Sequence, residues 1–131
     1  MARLFRFSRT LMLGLAAFAL PALAQAAAPA GDPAAGQALF KSRCAICHYV
    51  VEDGAPHPGP LLKGVVGRKA GTTAFKGYSP ALKASGKVWS LATLDQFLAL
   101  PSKVVPGTFM VINLPKDSER HDVVAYLATL K

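Results

Sequence analysis

Cys44-Ala45-Ile46-Cys47-His48 is the stretch on which the reading of this chain turns. Its pattern, C-x-x-C-H, is the attachment signature of a c-type haem. The spacing has a physical reason: thiols at positions 44 and 47 of a helical turn reach two vinyl groups along one porphyrin edge. The adjacent His48 is then carried under the iron as an axial ligand. Thioether bonds leave no free thiol, which suits an oxidising compartment. Three other readings compete. A zinc site needs two more Cys or His ligands at matched spacing, and His57 and His121 make no common finger with the pair. A thioredoxin-like redox pair expects a βαβ setting, which the flanking sequence lacks. A plain structural disulfide gives His48 nothing to do. One covalent haem c is therefore the expected cofactor.

The flanks are punctuated as helices joined by long loops. Asp32-Pro33 places an Asp cap before Pro at the first helical position, predicting a helix to about Arg43 with Gly36 and Phe40 on one face. From Cys44 to Lys87, Gly and Pro recur too often for long helices or strands. Within that stretch Ser79-Pro80 predicts a short helix to about Ala84. Ser90 caps a third helix with Leu91, Leu94 and Leu98 on one stripe and Phe97 beside it, and Pro101 ends it. After an irregular stretch from Ser102 to Lys116, Asp117 or Ser118 opens a last helix with Val123, Val124, Leu127 and Leu130 inward. No run alternates well enough for a sheet. The expected fold class is all-α, about four to five helices with long loops wrapped around one covalently attached haem.

At 131 residues, 52% hydrophobic and 17% charged, with two cysteines and no internal period, the chain has room for one domain. That excludes a solenoid and a disulfide scaffold. Residues 1–26 read as a cleavable secretory signal: Arg3, Arg6 and Arg9, the apolar run Leu11 to Leu20, Pro21, and small residues offering cleavage after Ala24 or Ala26. The apolar run is about half the length that spans a bilayer; the rival is an uncleaved anchor. Residues 27–31 form a flexible lead-in and 32–131 the working domain. The expected location is the periplasm, without stable membrane insertion. The formal net charge of +8 falls to +5 without the three arginines of the signal. That charge is scattered and the aromatics are needed inside, which argues against nucleic acid. A domain of about 100 residues buries a modest fraction of its surface and gains from a large apolar cofactor in its core.

The other face of the iron needs its own ligand. Met1 and Met12 fall in the signal, which leaves Met110 as the single methionine of the working domain. It comes after Pro106-Gly107-Thr108-Phe109 in a loop without a helical face to pack against. A thioether is a soft neutral ligand that favours Fe(II) and raises the potential. His57 and His121 are the competitors; an isolated His is surface or structural by default.

With these residues in hand, the chain resembles a class I cytochrome c of the mitochondrial and bacterial c2 type, over about Gly36 to Leu130. Gly36 and Phe40 match a first-helix pair that crosses Tyr126 of the last helix. The resemblance implies that the Pro60 carbonyl accepts the ring N–H of His48, and that Arg68, Tyr78 and Trp89 hold the haem propionates. It also places Met110, 21 residues after Trp89, on the iron. The departures are Phe109 where Lys is usual, Phe97 in the haem pocket where a Tyr hydroxyl commonly reaches the Met sulfur, Leu82 for a polar amide, and Ile112 for an aromatic. These make the pocket drier and its rim less basic.

The function this implies is a periplasmic one-electron carrier, not an enzyme, working as a monomer through an exposed haem edge. Lys41, Arg43, Lys103 and Lys116 are expected near that edge. There they would steer acidic redox partners such as a quinol–cytochrome c oxidoreductase and a terminal oxidase or reductase. The alternatives are a haem peroxidase or ligand-binding sensor with a displaceable Met ligand, and a signal-anchored cytochrome subunit.

Overall fold

Five helices and the loops between them make up the fold, for which the computed structural model describes residues 30–131. The expected signal, 1–26, and residues 27–29 of the lead-in lie outside the described residues. Helix α1, Pro33–Leu39, starts where Asp32-Pro33 predicts: the Asp32 carboxylate accepts the Ala34 N–H at 2.8 Å. It does not continue to Arg43 as a regular helix. Phe40–Cys44 widens into one π-helical turn, with the Ala45 N–H donating to the Phe40 carbonyl at 2.9 Å. An extra residue in the turn rotates the side chains beyond it.

Helix α2, Pro80–Ala84, is capped by Ser79, whose hydroxyl accepts the Leu82 N–H at 3.1 Å. Helix α3, Leu91–Ala99, opens with a capping box in which Ser90 and Thr93 satisfy each other's backbone N–H. The expectation that Pro101 ends this helix and opens an irregular stretch is corrected. Helix α3 stops at Ala99, Leu100 is extended, and Pro101 is the first residue of a separate one-turn helix, α4, Pro101–Val104. A residue with fixed φ and no N–H suits the first helical position as well as it suits a stop. Helix α5, Asp117–Thr129, has no side-chain cap; Asp117 and Glu119 in its first turn complement the helix dipole.

The core sits where α1 crosses α5 and α3 packs beside them. Gly36 lies so close to α5 that a Cβ there would strike the Asp122 carbonyl and the Tyr126 Cβ, so the crossing requires glycine. One turn on, the Phe40 and Tyr126 rings meet at 5.4 Å. Leu94, Phe97 and Leu98 of α3 and Val123, Val124 and Leu127 of α5 are buried, each worth about 1.5–3 kcal/mol of transfer free energy. Leu91 and Leu130 are only half-buried at its edge. The lead-in ends against α5, with the Asp32 N–H donating to Asp122 at 2.7 Å. His121 is half-buried there, with a ring nitrogen 3.8 Å from Asp95.

One charged residue shares the inward stripe of α5. Arg120, 7% exposed, donates to Asp95 at 3.0 Å, Asp117 at 2.6 Å, and the Leu114 and Pro115 carbonyls at 3.0 and 2.9 Å. Burial works against its charge, but the bonds to Asp117 and Asp95 outweigh it and hold its pKa above the ordinary arginine value. The described residues contain no strand; isolated bridges join Tyr49 to Leu61 and Lys69 to Val88.

Candidate haem site

The loops after α1 and before α5 close over a cavity with an open mouth. Cys44, Cys47, His48, Pro60, Arg68, Tyr78, Trp89, Phe97 and Met110 all line it. The π-helical turn delivers Cys44, half-buried, and a Cys47 N–H to Cys44 carbonyl bond of 3.0 Å bends the next turn so that both thiols and His48 face one space. Burial pushes the Cys44 thiol above its ordinary pKa, with Arg43 pulling the other way.

His48 is held from one side by a loop that returns to it. Its Nδ1–H donates to the Pro60 carbonyl at 3.0 Å, which fixes the tautomer and leaves the Nε2 lone pair free. Burial, partly offset by that bond, keeps the imidazole below its ordinary pKa and therefore neutral at pH 7. Gly59 must be glycine, because a Cβ there would sit 2.9 Å from the ring of His48 and 3.0 Å from the Cys47 carbonyl. Met110 is half-buried, its backbone N–H on the Thr108 hydroxyl at 3.3 Å.

The far end of the cavity is polar. Arg68 donates to the Leu61 carbonyl at 2.7 Å and the Lys63 carbonyl at 2.8 Å, and no carboxylate among the described residues pairs with it. Burial lowers its pKa, with Tyr78 opposing. A half-buried cation without a counter-anion at the rim of an apolar cavity calls for an acidic group from outside the protein. Tyr78 shares a 2.8 Å hydrogen bond with Thr73. Trp89 packs on Phe97 at 4.9 Å. Apolar walls, two thiols, an imidazole with a free Nε2, a thioether and an unpaired guanidinium fit a haem with its propionates.

Of the four expected rim cations, Arg43 lines the cavity, whereas Lys41 and Lys103 are exposed outside it. Lys116 is exposed too, but its ammonium pairs with Glu119 at 3.1 Å, so its charge is largely answered on its own helix. The most exposed large apolar residues of the lining are Val111, at 85%, and Phe109, at 69%, and Ile46 nearby in sequence is 79% exposed. His57 and His121 do not line the cavity. Val65, Phe75 and Ser79 do, and sequence reasoning missed them. Only Ser79 carried a signal, and it was the signal of a helix cap.

Residues 33–131 match the family model described as Cytochrome c. The chain is 48% identical over 101 residues to cytochrome c2 of Rhodomicrobium vannielii, covering 76% of this chain and 80% of the relative. It is 47% identical over 104 residues to cytochrome c of Guizotia abyssinica, covering 78% and 93%. Among solved structures, cytochrome cH from Methylobacterium extorquens superposes with a TM-score of 0.66 at 46% identity, over 76% of this chain and 99% of that one.

Proposed function

The chain belongs to the class I cytochrome c family, and we propose that it is a periplasmic one-electron carrier whose iron is held between His48 and Met110. Membership makes it an electron carrier rather than an enzyme, with one covalent haem c. The observation that carries the finer reading is the convergence of Cys44, Cys47, His48 and Met110 on one apolar cavity. When bound, the haem supplies a one-electron Fe(II)/Fe(III) couple. The residues do the rest. Cys44 and Cys47 fix the group to the π-helical turn, and His48 presents Nε2 because Pro60 occupies Nδ1. Met110, on the lining of the same cavity, would supply a thioether to the iron and exclude water, while Arg68 would balance acidic substituents at the polar end. Leu82, Phe97 and Ile112 keep the pocket dry and disfavour the extra ferric charge.

No described helix is long and apolar enough to cross a membrane. With residues 1–26 removed as a secretory signal, the working domain would be released into the periplasm as a monomer. Acidic partners, a quinol–cytochrome c oxidoreductase as donor and a terminal oxidase or reductase as acceptor, would approach the mouth beside Arg43. Absorption spectra and carbon monoxide binding test the axial pair. The unsubstituted protein should give a low-spin six-coordinate spectrum in both oxidation states and exclude carbon monoxide at neutral pH. Met110→Ala should lower the midpoint potential and admit carbon monoxide. Ready carbon monoxide binding by the parent, or a potential equal to that of Met110→Ala, removes Met110 from the iron.

A further inference from the structure

The loop between Tyr49 and Leu61 is the part of the molecule whose side chains the proposed chemistry leaves unused. Its ends are closed by backbone bonds, Gly59 N–H to the Cys47 carbonyl and Leu62 N–H to the Tyr49 carbonyl, both 2.9 Å. Between them it contains no helix, and residues 51–56 are all exposed. Such an arm has little apolar burial to hold it. Its internal ties are instead polar and aromatic. The His57 ring lies stacked on Tyr49 at 3.9 Å and 14°. Its Nε2–H donates to Asp53, 2.9 Å from Oδ1 and 3.1 Å from Oδ2. Asp53 Oδ1 also accepts the Ala55 N–H at 3.0 Å, and the His57 side chain is only 23% exposed. One imidazole thus ties the outgoing limb at Tyr49, the tip at Asp53 and the returning limb.

The next residues in the chain make that tie consequential. Pro58-Gly59-Pro60 succeeds His57, two prolines with fixed φ around a glycine whose Cα abuts the His48 ring. Two prolines, and a glycine held by its N–H on the Cys47 carbonyl at 2.9 Å and by its close approach to the His48 ring, connect the His57 backbone to the Pro60 carbonyl that accepts the His48 Nδ1–H. A change in where His57 sits therefore becomes a change in where that acceptor sits. An acceptor on the second nitrogen raises the basicity of a ligating imidazole.

We propose that Tyr49, His57 and Asp53 form a positioning clamp that sets the strength of the His48–Pro60 hydrogen bond, and through it the redox potential. This rests on the reading of His48 as an axial ligand. Neither His57 nor Asp53 touches the cavity, so their effect reaches His48 through the loop that ends at Pro60.

The test uses the reduced, haem-loaded protein and measures hydrogen exchange of the His48 ring N–H by NMR, alongside the midpoint potential. In His57→Ala the ring N–H should exchange at least tenfold faster and the potential should rise, because a weaker acceptor makes His48 a poorer donor to Fe(III). His57→Phe, which keeps a ring against Tyr49 but no donor for Asp53, should fall between the parent and His57→Ala. Amides of the buried helical core, Val123 and Val124, should keep their parental rates. An unchanged ring N–H rate and potential in His57→Ala would overturn the clamp. So would core amides accelerated by the same factor, which would make His57 merely a support of the whole fold. The spectrum separates the premise from the proposal. Low-spin six-coordinate absorption in parent and variants confines the result to the clamp, whereas a parent without it overturns the ligand reading as well.

Discussion

Where α1 crosses α5 and α3 packs beside them, the polar groups find their partners within the protein. Gly36 lets the backbones touch, Phe40 meets Tyr126, and Arg120 satisfies two carboxylates and two carbonyls at once. Across residues 44–87 the partners are of another kind. Backbone bonds such as Gly67 N–H to Trp89 carbonyl and Ala70 N–H to Lys87 carbonyl stitch the loops to one another. Yet Leu62, Phe75, Leu82 and the guanidinium of Arg68 are turned toward the open cavity. The helical half also gives the cavity an apolar wall, with Phe40, Leu94, Phe97, Val123 and Leu127, but its buried polar groups are answered within the protein, whereas the loop half leaves Arg68 without a counter-charge. A small domain that cannot bury enough surface with its own side chains can use a cofactor as core.

The largest expected effect comes from removing what the loop half is built around. Replacing both Cys44 and Cys47 by Ala should leave no covalent haem and a largely unfolded chain, read by circular dichroism and protease resistance. Recovery of a compact, protease-resistant, haem-free domain would show that the loops are as self-sufficient as the helices, and the contrast between the halves would fail.

The complementary change belongs to the helical half. Arg120→Ala strands the Leu114 and Pro115 carbonyls and half-buried Asp95 without their donor, at a cost of about 2 kcal/mol. For a domain this size that is a fall in Tm of about 10 °C. The spectrum and the midpoint potential should stay at their parental values, because Arg120 lies outside the cavity. A potential that moved with Arg120 would mean that the two halves are coupled more tightly than their contacts indicate.

The two halves were also unequally legible. Helix starts are written locally: Asp32-Pro33, Ser79-Pro80 and Ser90 each carry the acceptor, and all three caps form. The C-x-x-C-H spacing is equally local, and it pointed to the cavity together with Met110. Helix ends were harder. A proline stops one helix and starts another with the same chemistry, so α4 was missed at Pro101, and nothing in Phe40–Cys44 announces a π-helical turn. Arg120 shares the spacing of Val123, Val124 and Leu127, but its burial depends on Asp95 of α3 and on how the segment leading into α5 turns the Leu114 and Pro115 carbonyls toward it. The cavity walls at Val65 and Phe75 are set by how loops return, which no short window of sequence contains. Likewise, Lys116 looks like a free rim charge until its pairing with Glu119 is seen.

A smaller effect should separate the halves by pH. The His57 hydrogen bond, with the Ala55 N–H, holds the Asp53 carboxyl below its ordinary pKa. A depressed carboxylate contributes stability above its unfolded pKa and loses it as pH falls through the lower folded value. The loop from Tyr49 to Leu61 should therefore loosen on acidification just below the ordinary carboxylate range, seen as faster exchange of the Ala55 amide, before the helical core amides respond. Asp53→Asn should abolish that early step. If loop and core loosen together in the parent, the loop is not a separately held unit.

The smallest expected effect concerns the mouth, where the two halves meet and a partner must dock. Arg43 lines the cavity and makes no ion pair among the described residues, Lys103 is exposed and likewise without one, and Lys116 is already answered by Glu119. Charge reversal should therefore slow association with an acidic partner in the order Arg43→Glu, then Lys103→Glu, then Lys116→Glu. The steps should be several-fold at low salt and shrink as the Debye length falls below about 10 Å. The apolar surface of Phe109 and Val111 at the same mouth is insensitive to ionic strength. The salt dependence of the parent should for that reason be shallower than Arg43, Lys41 and Lys103 alone would give. Phe109→Lys sharpens the comparison: it adds a charge at the mouth and removes apolar area, so it should steepen the salt dependence while leaving the spectrum unchanged. If Lys116→Glu proves as damaging as Arg43→Glu, the Glu119 pair does not screen it in solution and the whole rim steers. If no reversal matters, docking is through the apolar mouth itself.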